Sequence, residues 1–396
     1  MNILIYNLNE PLPEQGGMER VTDLLARLLK EKGFNVLLLC QIKNRQNKNY
    51  ISPVPIFYLP DRNLIDSSLN KEFFISCVTQ NKIDLVIDQT QGGIIGRFGI
   101  FKNKEKSIFS HIKLVAVLHN SALSYLQNIH IILRKDTSPF MGRILNDLYI
   151  RIKKINGYRM NKILYKEFSS NYDAIVVLSE SLFQEVQFFA PKVDVKKLYA
   201  IPNPNTYEFI DNPIPKQKEI LFVGRMDNKA KGIDRLLKIW KLLAEKNDDW
   251  NLTLIGDGPD KPMLEEMARE MGLKRYEFKG YLNPKPYYEK ASIFCMTSTF
   301  EGFGMVITEA MQHGVIPLAF DSYTTVHDII KNGYNGFLIK PFDIDEYARK
   351  IQILIDDKNL LEELSYNSRL FSNKFSSDEI VSKWITLISD IDEDNH

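Results

Sequence analysis

Short apolar runs recur along the chain, separated by glycine-bearing loops and by segments with helical spacing. The first run covers residues 2–8 and is followed by a loop that contains a pair of glycines. The next segment carries apolar residues at helical spacing from Met18 to Leu29, and Gly33 supplies its stop. Another apolar run follows at residues 35–40. Strand, loop, helix and strand in this order predict a βαβ unit and hence a parallel sheet.

The same order returns along the rest of the chain. Further runs of strand length lie at residues 84–88, 113–119, 173–178, 219–223, 251–255, 277–280, 293–297 and 315–320. Because single cores stop growing near roughly 250–300 residues, a chain of 396 residues is expected to form two domains. We predict an α/β protein with an amino-terminal domain at 1–200 and a carboxyl-terminal domain at 201–375. A last helix at about 376–392, with Ser376 and Glu379 as its capping box, is expected to pack back on the first domain.

Composition narrows the function classes. The formal net charge of +1 gives no field that would hold the chain on nucleic acid, so no nucleic-acid partner is expected. Cys40, Cys77 and Cys295 lie far apart without a CxxC pair, which argues against a zinc site or a disulfide framework. Cys40 and Cys295 end apolar runs and are predicted to be buried thiols. With no signal-peptide pattern and no apolar run of membrane-spanning length, we expect a cytoplasmic protein.

The strongest chemical signal lies at residues 298–310. A strand is followed by a loop with Gly302 and Gly304, and a helix is predicted to begin near Gly304. Glycines let the backbone approach a ligand closely, and the amide end of a helix suits a diphosphate. Glu301 lies at the mouth of the loop, and Glu309 lies within reach of a ribose diol. The alternative is an ordinary strand-to-helix turn with solvated glutamates.

A second signal follows the strand that ends at Gly224. Arg225 and Lys231 place two cations on the next loop, and a departing diphosphate needs positive charge in a partly dry site. Lys229 lies between them and competes with Lys231 for this role. The alternative is a solvated basic loop.

These motifs resemble those of a known enzyme family. Glu301 and Glu309 reproduce the E-x7-E motif of retaining glycosyltransferases with the GT-B fold, and the stretch 297–320 is similar to family four of those enzymes. The resemblance covers nearly the whole chain and is most specific from residue 222 to residue 341. It implies two Rossmann-like domains whose parallel sheets face each other across a cleft, with the sugar nucleotide bound mainly on the second.

The resemblance also implies roles for individual residues of the second domain. Glu309 would hold the ribose hydroxyls, Glu301 would contact the donor sugar, and Arg225 with Lys231 would grip the diphosphate. The backbone amides that would meet the phosphates belong to Gly302, Phe303, Gly304, Met305 and Val306. Gly256, Tyr281 and Leu282 would line the nucleoside side of the site, although ordinary strand-to-loop turns explain these three residues equally well.

In the first domain the resemblance points to a glycine pair and a histidine. Gly16 and Gly17 would face the donor phosphates and the acceptor, while a tight turn is the alternative. His119 ends an apolar strand where the family often places an active-site histidine, while a structural histidine is the alternative. We count His119, Glu301, Arg225 and Lys231 as the candidate catalytic residues.

The predicted activity is transfer of a hexose from a nucleoside-diphosphate sugar, with a UDP-sugar favoured, to a glycan or lipid-linked acceptor. The transfer would retain the anomeric configuration and would serve the synthesis of cell-surface polysaccharides. A sugar-nucleotide epimerase of the same fold and a non-catalytic sugar-nucleotide binding subunit are the alternatives. We expect no cofactor and no catalytic metal, because no DxD triplet ends a strand and Asp343 in one such triplet is better explained as an N-cap.

A basic stretch at residues 130–166 points to a further partner. It contains nine Lys or Arg and, as acids, only Asp136 and Asp147, with apolar residues interleaved partly at helical spacing. One interpretation is peripheral contact with the inner face of the membrane or with a lipid-linked acceptor. The other is a packed helix pair with a solvated basic face.

Overall fold

The computed structural model describes residues 1–14, 16–43, 50–90, 109–133, 140–207 and 215–393, with the backbone alone at 140–143. Within these ranges the strands are β1 (Asn2–Asn9), β2 (Asn35–Ile42), β3 (Ile56–Tyr58), β4 (Leu85–Asp88), β5 (Lys113–Leu118), β6 (Ala174–Val177), β7 (Leu198–Ala200), β8 (Glu219–Val223), β9 (Asn251–Ile255), β10 (Tyr276–Gly280), β11 (Ile293–Met296), β12 (Ile316–Phe320) and β13 (Phe337–Ile339).

The helices in the same ranges are α1 (Gly17–Glu31), α2 (Ser68–Gln80), α3 (Ala122–Leu133), α4 (Phe140–Asn171), α5 (Phe183–Phe189), α6 (Asn228–Lys231), α7 (Ile233–Ala244), α8 (Lys261–Glu270), α9 (Lys285–Lys290), α10 (Met305–Gln312), α11 (Val326–Ile329), α12 (Ile344–Asp356), α13 (Lys358–Phe371) and α14 (Ser377–Glu393). Short 3₁₀ turns lie at Glu180–Leu182, Val195–Lys197 and Ser372–Phe375.

The chain divides into two compact units. The first unit comprises Met1–Asn120, Gly157–Thr206 and Ser377–His396, and the second comprises Ser121–Asn156 and Tyr207–Ser376. The sequence-based boundary between residues 200 and 201 stays a prediction. Residues 121–156, which that prediction gives to the first domain, group with the second unit.

A parallel sheet of seven strands, in the order β3-β2-β1-β4-β5-β6-β7, forms the centre of the first unit. Its strands are nearly continuous apolar runs because helices cover both faces of a parallel sheet. Helix α14 contributes to this core through Ile380, Val381, Trp384, Leu387, Ile388 and Ile391, which pack with Leu25, Leu29 and the strands. The last helix is therefore part of the hydrophobic core of the first unit.

The second unit contains a parallel sheet of six strands in the order β10-β9-β8-β11-β12-β13. The order reverses between β8 and β11, where the described ladder holds two pairs, Ile293 with Ile220 and Phe294 with Leu221. In doubly wound sheets a ligand binds outside the carboxyl ends of the strands at such a switch point. A ligand site is therefore expected at the loops after β8 and β11.

The structure confirms the α/β class with two parallel sheets, and the strands predicted from apolar runs agree with the structure within about two residues. The sequence did not predict the three-residue strands β3, β7 and β13, and it indicated the long helix α4 in part, through the helical spacing at residues 130–166. Cys40 and Cys295 are buried free thiols, as predicted, and Cys77 is buried as well. In the described part of the chain no helix is both long and apolar enough to cross a membrane.

Candidate functional site

The loops after β8 and β11 meet at the switch point of the second unit. The amide of Thr299 donates to the carbonyl of Ala230 over 2.7 Å, and the Thr297 hydroxyl donates to the carbonyl of Lys231 over 3.0 Å. Thr297 and Thr299 are both fully buried. One backbone and one side-chain hydrogen bond thus fix the two loops predicted to bind the diphosphate to each other.

Glycines let the backbones after β8, β9 and β10 pack directly on one another. Gly256 has a φ of +137°, and a Cβ at this position would lie 1.8 Å from the carbonyl oxygen of Gly224. The Gly256 amide donates to the carbonyl of Gly280 over 2.8 Å. No side chain fits between these strands, which explains the need for glycine at position 256.

Lys231 and Glu301, both predicted site residues, form an ion pair. The ammonium of Lys231 lies 2.5 Å from Oε1 of Glu301, and the Ser298 hydroxyl donates to the same oxygen over 2.7 Å. The side chains of Lys231 and Glu301 are 22% and 13% exposed, so the pair remains open to a ligand on one side. Lys229, by contrast, is exposed on the same short helix. This geometry favours Lys231 over Lys229 as the cation of the site.

Arg225 lies in the loop after β8 and is exposed. Among the described residues its guanidinium has no hydrogen-bond or ion-pair partner. No contact brings it to the Lys231–Glu301 pair within those residues. Its predicted role at the diphosphate stays a prediction.

Arg235 is a site residue that the sequence analysis missed. Its Nη1 donates to the carbonyl of Thr297 and to the hydroxyl of Thr299, both over 3.1 Å. Its guanidinium lies 4.3 Å from the centroid of the Phe342 ring. Through these two hydrogen bonds Arg235 holds the loop after β11 in position. In the sequence it looks like any basic residue on an amphipathic helix, and no local signal distinguishes it.

Helix α10 begins where the sequence predicts it. Its N-cap is Gly304, with a φ of +90°, and neither a side-chain cap nor an acidic residue in the first turn is present in this described helix. The first amides of a helix lack intrahelical partners and carry the positive end of the dipole. Phe303 is buried against the ring of Phe375, which anchors the loop. The amide end of α10 is therefore open to an anion.

Glu309 is the most buried of the predicted site carboxylates, at 1% exposure. The Tyr288 hydroxyl donates to its Oε2 over 3.2 Å, and the backbone carbonyl of Glu309 lies 2.9 Å from Nδ1 of His313. His313 in turn stacks on Tyr288. The carboxylate is held in one orientation, and its contact with a ribose stays a prediction.

We expect Glu309→Ala to weaken nucleotide binding about tenfold, because one or two hydrogen bonds to a ribose diol contribute about 1–3 kcal/mol. Binding of UDP measured by calorimetry checks this. The substitution also leaves the Tyr288 hydroxyl without its acceptor, so Tyr288→Phe is the matched control. That variant removes the same internal hydrogen bond but keeps the carboxylate, and it should bind UDP as the wild type does. Unchanged affinity in folded Glu309→Ala would contradict the assignment.

Tyr281 and Leu282 follow β10 directly. Both are exposed, at 63% and 45%, and Gly280 before them has a φ of +71°. The carbonyl of Gly280 accepts a hydrogen bond from the Gly256 amide, so Tyr281 directly follows a residue that is fixed to the loop after β9. An exposed aromatic ring there suits a nucleobase, and this role stays a prediction.

The glycine pair of the first unit lies at the start of α1. Gly16 is extended, with a φ of −177°, so its backbone does not require glycine. Glu19 lies in the first turn, where its Oε1 accepts a hydrogen bond from the side-chain amide of Asn9 over 3.3 Å. A phosphate at Gly16 and Gly17 would have to share the helix dipole with this carboxylate, unlike a phosphate at α10.

His119 follows β5 and is 7% exposed. Its Nε2 donates to Oε1 of Gln89, and its Nδ1 has no hydrogen-bond partner among the described residues. Burial lowers the pKa of His119 to about 4, so the ring is neutral at pH 7. A small cavity of ≈ 10 Å³ with a mostly apolar lining, including Val21 and Leu25, borders it. A neutral acceptor at Nδ1 suits a hydroxyl group, and the catalytic role of His119 stays a prediction.

Within the described ranges no cluster of three or more His, Cys, Asp or Glu residues could hold a metal ion. Asp343 caps α12 by accepting from the Glu346 amide over 2.9 Å, as its position in the sequence predicts. The expectation of a metal-free reaction stays a prediction.

Two family models match successive parts of the chain. Residues 15–205 match the model described as Glycosyltransferase Family 4, and residues 205–371 match the one described as Glycosyl transferases group 1. A glycosyltransferase of Haemophilus influenzae, itself uncharacterized, is 28% identical over 375 residues, which cover 93% of this chain and 95% of the relative. An α-1,4-N-acetyl-D-galactosaminyltransferase of Campylobacter jejuni, named for a PP-undecaprenol-linked glycan, is 27% identical over 201 residues, covering 50% of this chain and 56% of the relative.

A solved structure shares the fold. TarM of S. aureus, in complex with fondaparinux, α-GlcNAc-glycerol and UDP, superposes with a TM-score of 0.72 at 14% identity, covering 98% of this chain and 99% of that one. With nearly its whole length matched by these two models, the chain belongs to glycosyltransferase family four and has the GT-B fold.

Proposed function

We propose that the protein transfers a hexose from a UDP-sugar to a glycan or lipid-linked acceptor, with retention, in the synthesis of cell-surface polysaccharides. The observation that carries the proposal is the open amide end of α10 beside the Lys231–Glu301 pair at the switch point of the second unit. The relative named for a PP-undecaprenol-linked glycan and the structural neighbour in complex with UDP support this choice of acceptor and donor.

The chemistry follows from the charges of the site. The bond between the anomeric carbon and the diphosphate oxygen breaks, and the electron pair moves onto the diphosphate. Lys231, Arg225 and the amides of Gly302–Val306 would stabilise that charge. The acceptor hydroxyl forms the new bond to the anomeric carbon on the same face, and its proton passes to the departing phosphate oxygen. Atoms and charges balance without a separate base.

The engagement of Glu301 favours this front-face route over a double displacement. A double displacement needs a carboxylate free to attack the anomeric carbon. Oε1 of Glu301 instead accepts hydrogen bonds from Lys231 and Ser298. Glu309 is buried against Tyr288. Neither carboxylate is placed as a free nucleophile, which favours direct transfer over a covalent intermediate.

A donor panel tests the proposed function. We expect UDP-sugars to raise the melting temperature more than GDP- or ADP-sugars do, and a lipid-linked glycan acceptor to give a lengthened product with an α-linkage by NMR. Turnover should persist in excess EDTA, because we expect a reaction without a metal. An enzyme that alters the donor sugar without an acceptor would instead be an epimerase, and one that binds donor without any turnover would be a binding subunit.

Peripheral contact of α4 with the inner face of the membrane is part of the proposal. Its exposed apolar side chains are between 44% and 64% accessible and comprise Ile144, Leu145, Leu148, Tyr149, Ile152, Ile155, Met160 and Ile163. At about 100° per residue they fall within about half of the helix circumference. Exposed Arg151 and Lys153 lie at the margins of this face. An apolar face with cationic margins suits an anionic lipid surface.

Vesicle sedimentation tests this contact. The wild type should bind vesicles rich in anionic lipid at low salt, and neutral vesicles weakly, with binding lost as salt rises because each basic residue contributes about 1 kcal/mol. A variant with Lys153, Lys154, Arg159 and Lys162 changed to Ser should lose this binding. The matched control carries the same change of charge at exposed lysines elsewhere, namely Lys241, Lys246, Lys274 and Lys358. Equal binding of both variants would leave the basic stretch as a solvated helix face.

A further inference from the structure

Tyr323 lies in the segment that follows β12, directly beside the candidate site of the second unit. The residues around it are tied to the loop after β11. The Ser322 hydroxyl donates to the carbonyl of Ser298 over 2.8 Å, and the Thr325 hydroxyl donates to the carbonyl of Gly302 over 3.1 Å. The backbone around Tyr323 is therefore fixed on both sides against the loop that leads into α10.

The phenol itself is buried, and no described residue pairs with its hydroxyl. Tyr323 is 4% exposed, and among the described residues its hydroxyl oxygen has no hydrogen-bond partner. That oxygen lies 3.2 Å from the position a Cβ would take on Gly304, the N-cap of α10. A buried hydroxyl without a partner destabilises a fold, and buried polar groups in native proteins are nearly always paired. An orphan hydroxyl at the open end of a helix therefore points to a ligand.

The surroundings of the hydroxyl decide which ligand fits. Helix α10 has no side-chain cap and no acidic residue in its first turn. Burial, and then the negative charge of Glu301, raise the pKa of Tyr323, so the phenol keeps its proton and acts as a donor. A hydroxyl donor at the N-cap of a helix whose first amides lack intrahelical partners suits an anion with several oxygens.

We propose that the Tyr323 hydroxyl donates a hydrogen bond to a phosphate oxygen of the donor diphosphate at the amide end of α10. This inference rests on the proposed function, because it assumes that the second unit binds a nucleoside diphosphate. Tyr323 thereby adds a neutral donor to the charged set of Lys231 and Arg225. It binds the leaving group without adding a charge, and the phosphate oxygen becomes the hydrogen-bond partner of its hydroxyl.

The test compares Tyr323→Phe with the wild type by calorimetry, using UDP and uridine, with GDP and guanosine as a second pair. Loss of one hydrogen bond to a charged group should weaken diphosphate binding about tenfold or more and leave nucleoside binding unchanged. The melting temperature without nucleotide should stay the same or rise, since the substitution removes an unpaired hydroxyl and keeps the ring. Tyr366→Phe, at an exposed tyrosine of the same unit, is the matched control and should bind UDP normally.

Each other outcome overturns the inference in a distinguishable way. Equal diphosphate affinity of Tyr323→Phe and wild type overturns it while leaving the proposed function intact. Equal losses for nucleoside and diphosphate, or a lower melting temperature without nucleotide, would show that the hydroxyl serves the nucleoside pocket or the fold. A wild type that binds neither UDP nor GDP would overturn this inference and the proposed function together.

Discussion

Alanine in place of Lys231 is expected to lower turnover about a hundredfold or more, and alanine in place of Arg225 is expected to do the same. The leaving diphosphate gains negative charge as the anomeric bond breaks, so each cation stabilises the transition state more than the bound donor. The loss should therefore appear mainly in kcat. For Lys231 a second effect adds to the first, because the variant removes the cationic partner of Glu301 beside the phosphates and leaves that carboxylate, among the described residues, with the hydrogen bond from the Ser298 hydroxyl.

Lys229→Ala is the matched control for this prediction. Lys229 and Lys231 lie on the same short helix, but Lys229 is exposed and Lys231 is the one paired with Glu301. Steady-state kinetics with saturating acceptor should give near wild-type turnover for Lys229→Ala. Normal turnover in Lys231→Ala together with loss of turnover in Lys229→Ala would show that the cation of the site lies two positions earlier.

Gly256→Ala is expected to destabilise the second unit by about 2–6 kcal/mol. A residue with a side chain at a φ of +137° is strained by about 1–3 kcal/mol, and overpacking adds about 1–3 kcal/mol. The added Cβ would lie 1.8 Å from the Gly224 carbonyl, which belongs to the backbone and cannot rotate away. The melting temperature of the unit should fall by roughly 4–24 °C.

Gly272→Ala separates the clash from the backbone strain. Gly272 also has a positive φ, +64°, but a Cβ there would meet no atom within 4 Å. Its loss should be limited to about 1–2 kcal/mol, the cost of a left-handed conformation for a residue with a side chain. Thermal unfolding followed by calorimetry compares the two variants. Equal melting temperatures would show that the backbones after β8 and β9 separate easily and that the loop is not held as described.

The sequence predicts the limits of α10 and the loop before it because both depend on local signals. An apolar run, two glycines and a helical spacing lie within one short stretch. The ion pair of Lys231 with Glu301 joins residues that are 70 positions apart. The sequence placed both residues in the site but could not show that they contact each other, because that contact depends on the strand order of the sheet.

Other features were beyond the sequence for physical reasons. In the sequence Tyr323 has the pattern of a core aromatic residue that follows a strand. Only the positions of its neighbours show that its hydroxyl has no partner among the described residues. Strands β3, β7 and β13 have three residues each, too few for an alternation pattern to register. For α4 the helical spacing was visible in part, but the pattern does not tell whether an apolar face packs against the protein or is exposed. That depends on which surfaces remain uncovered after folding.

The contribution of α14 to the first unit has a consequence for the order in which the protein assembles on the ribosome. Most of the first unit precedes the second in the chain, but its core lacks Trp384 and its neighbours until residues 377–393 emerge. The second unit ends at Ser376 and is complete before then. The amino-terminal domain of a protein usually folds first during synthesis. Here the first unit completes its core only after the second unit has been synthesised. In ribosome-bound chains that end at residue 376 and carry a spacer long enough to clear the exit tunnel, proteolysis should cut the first unit and spare the second.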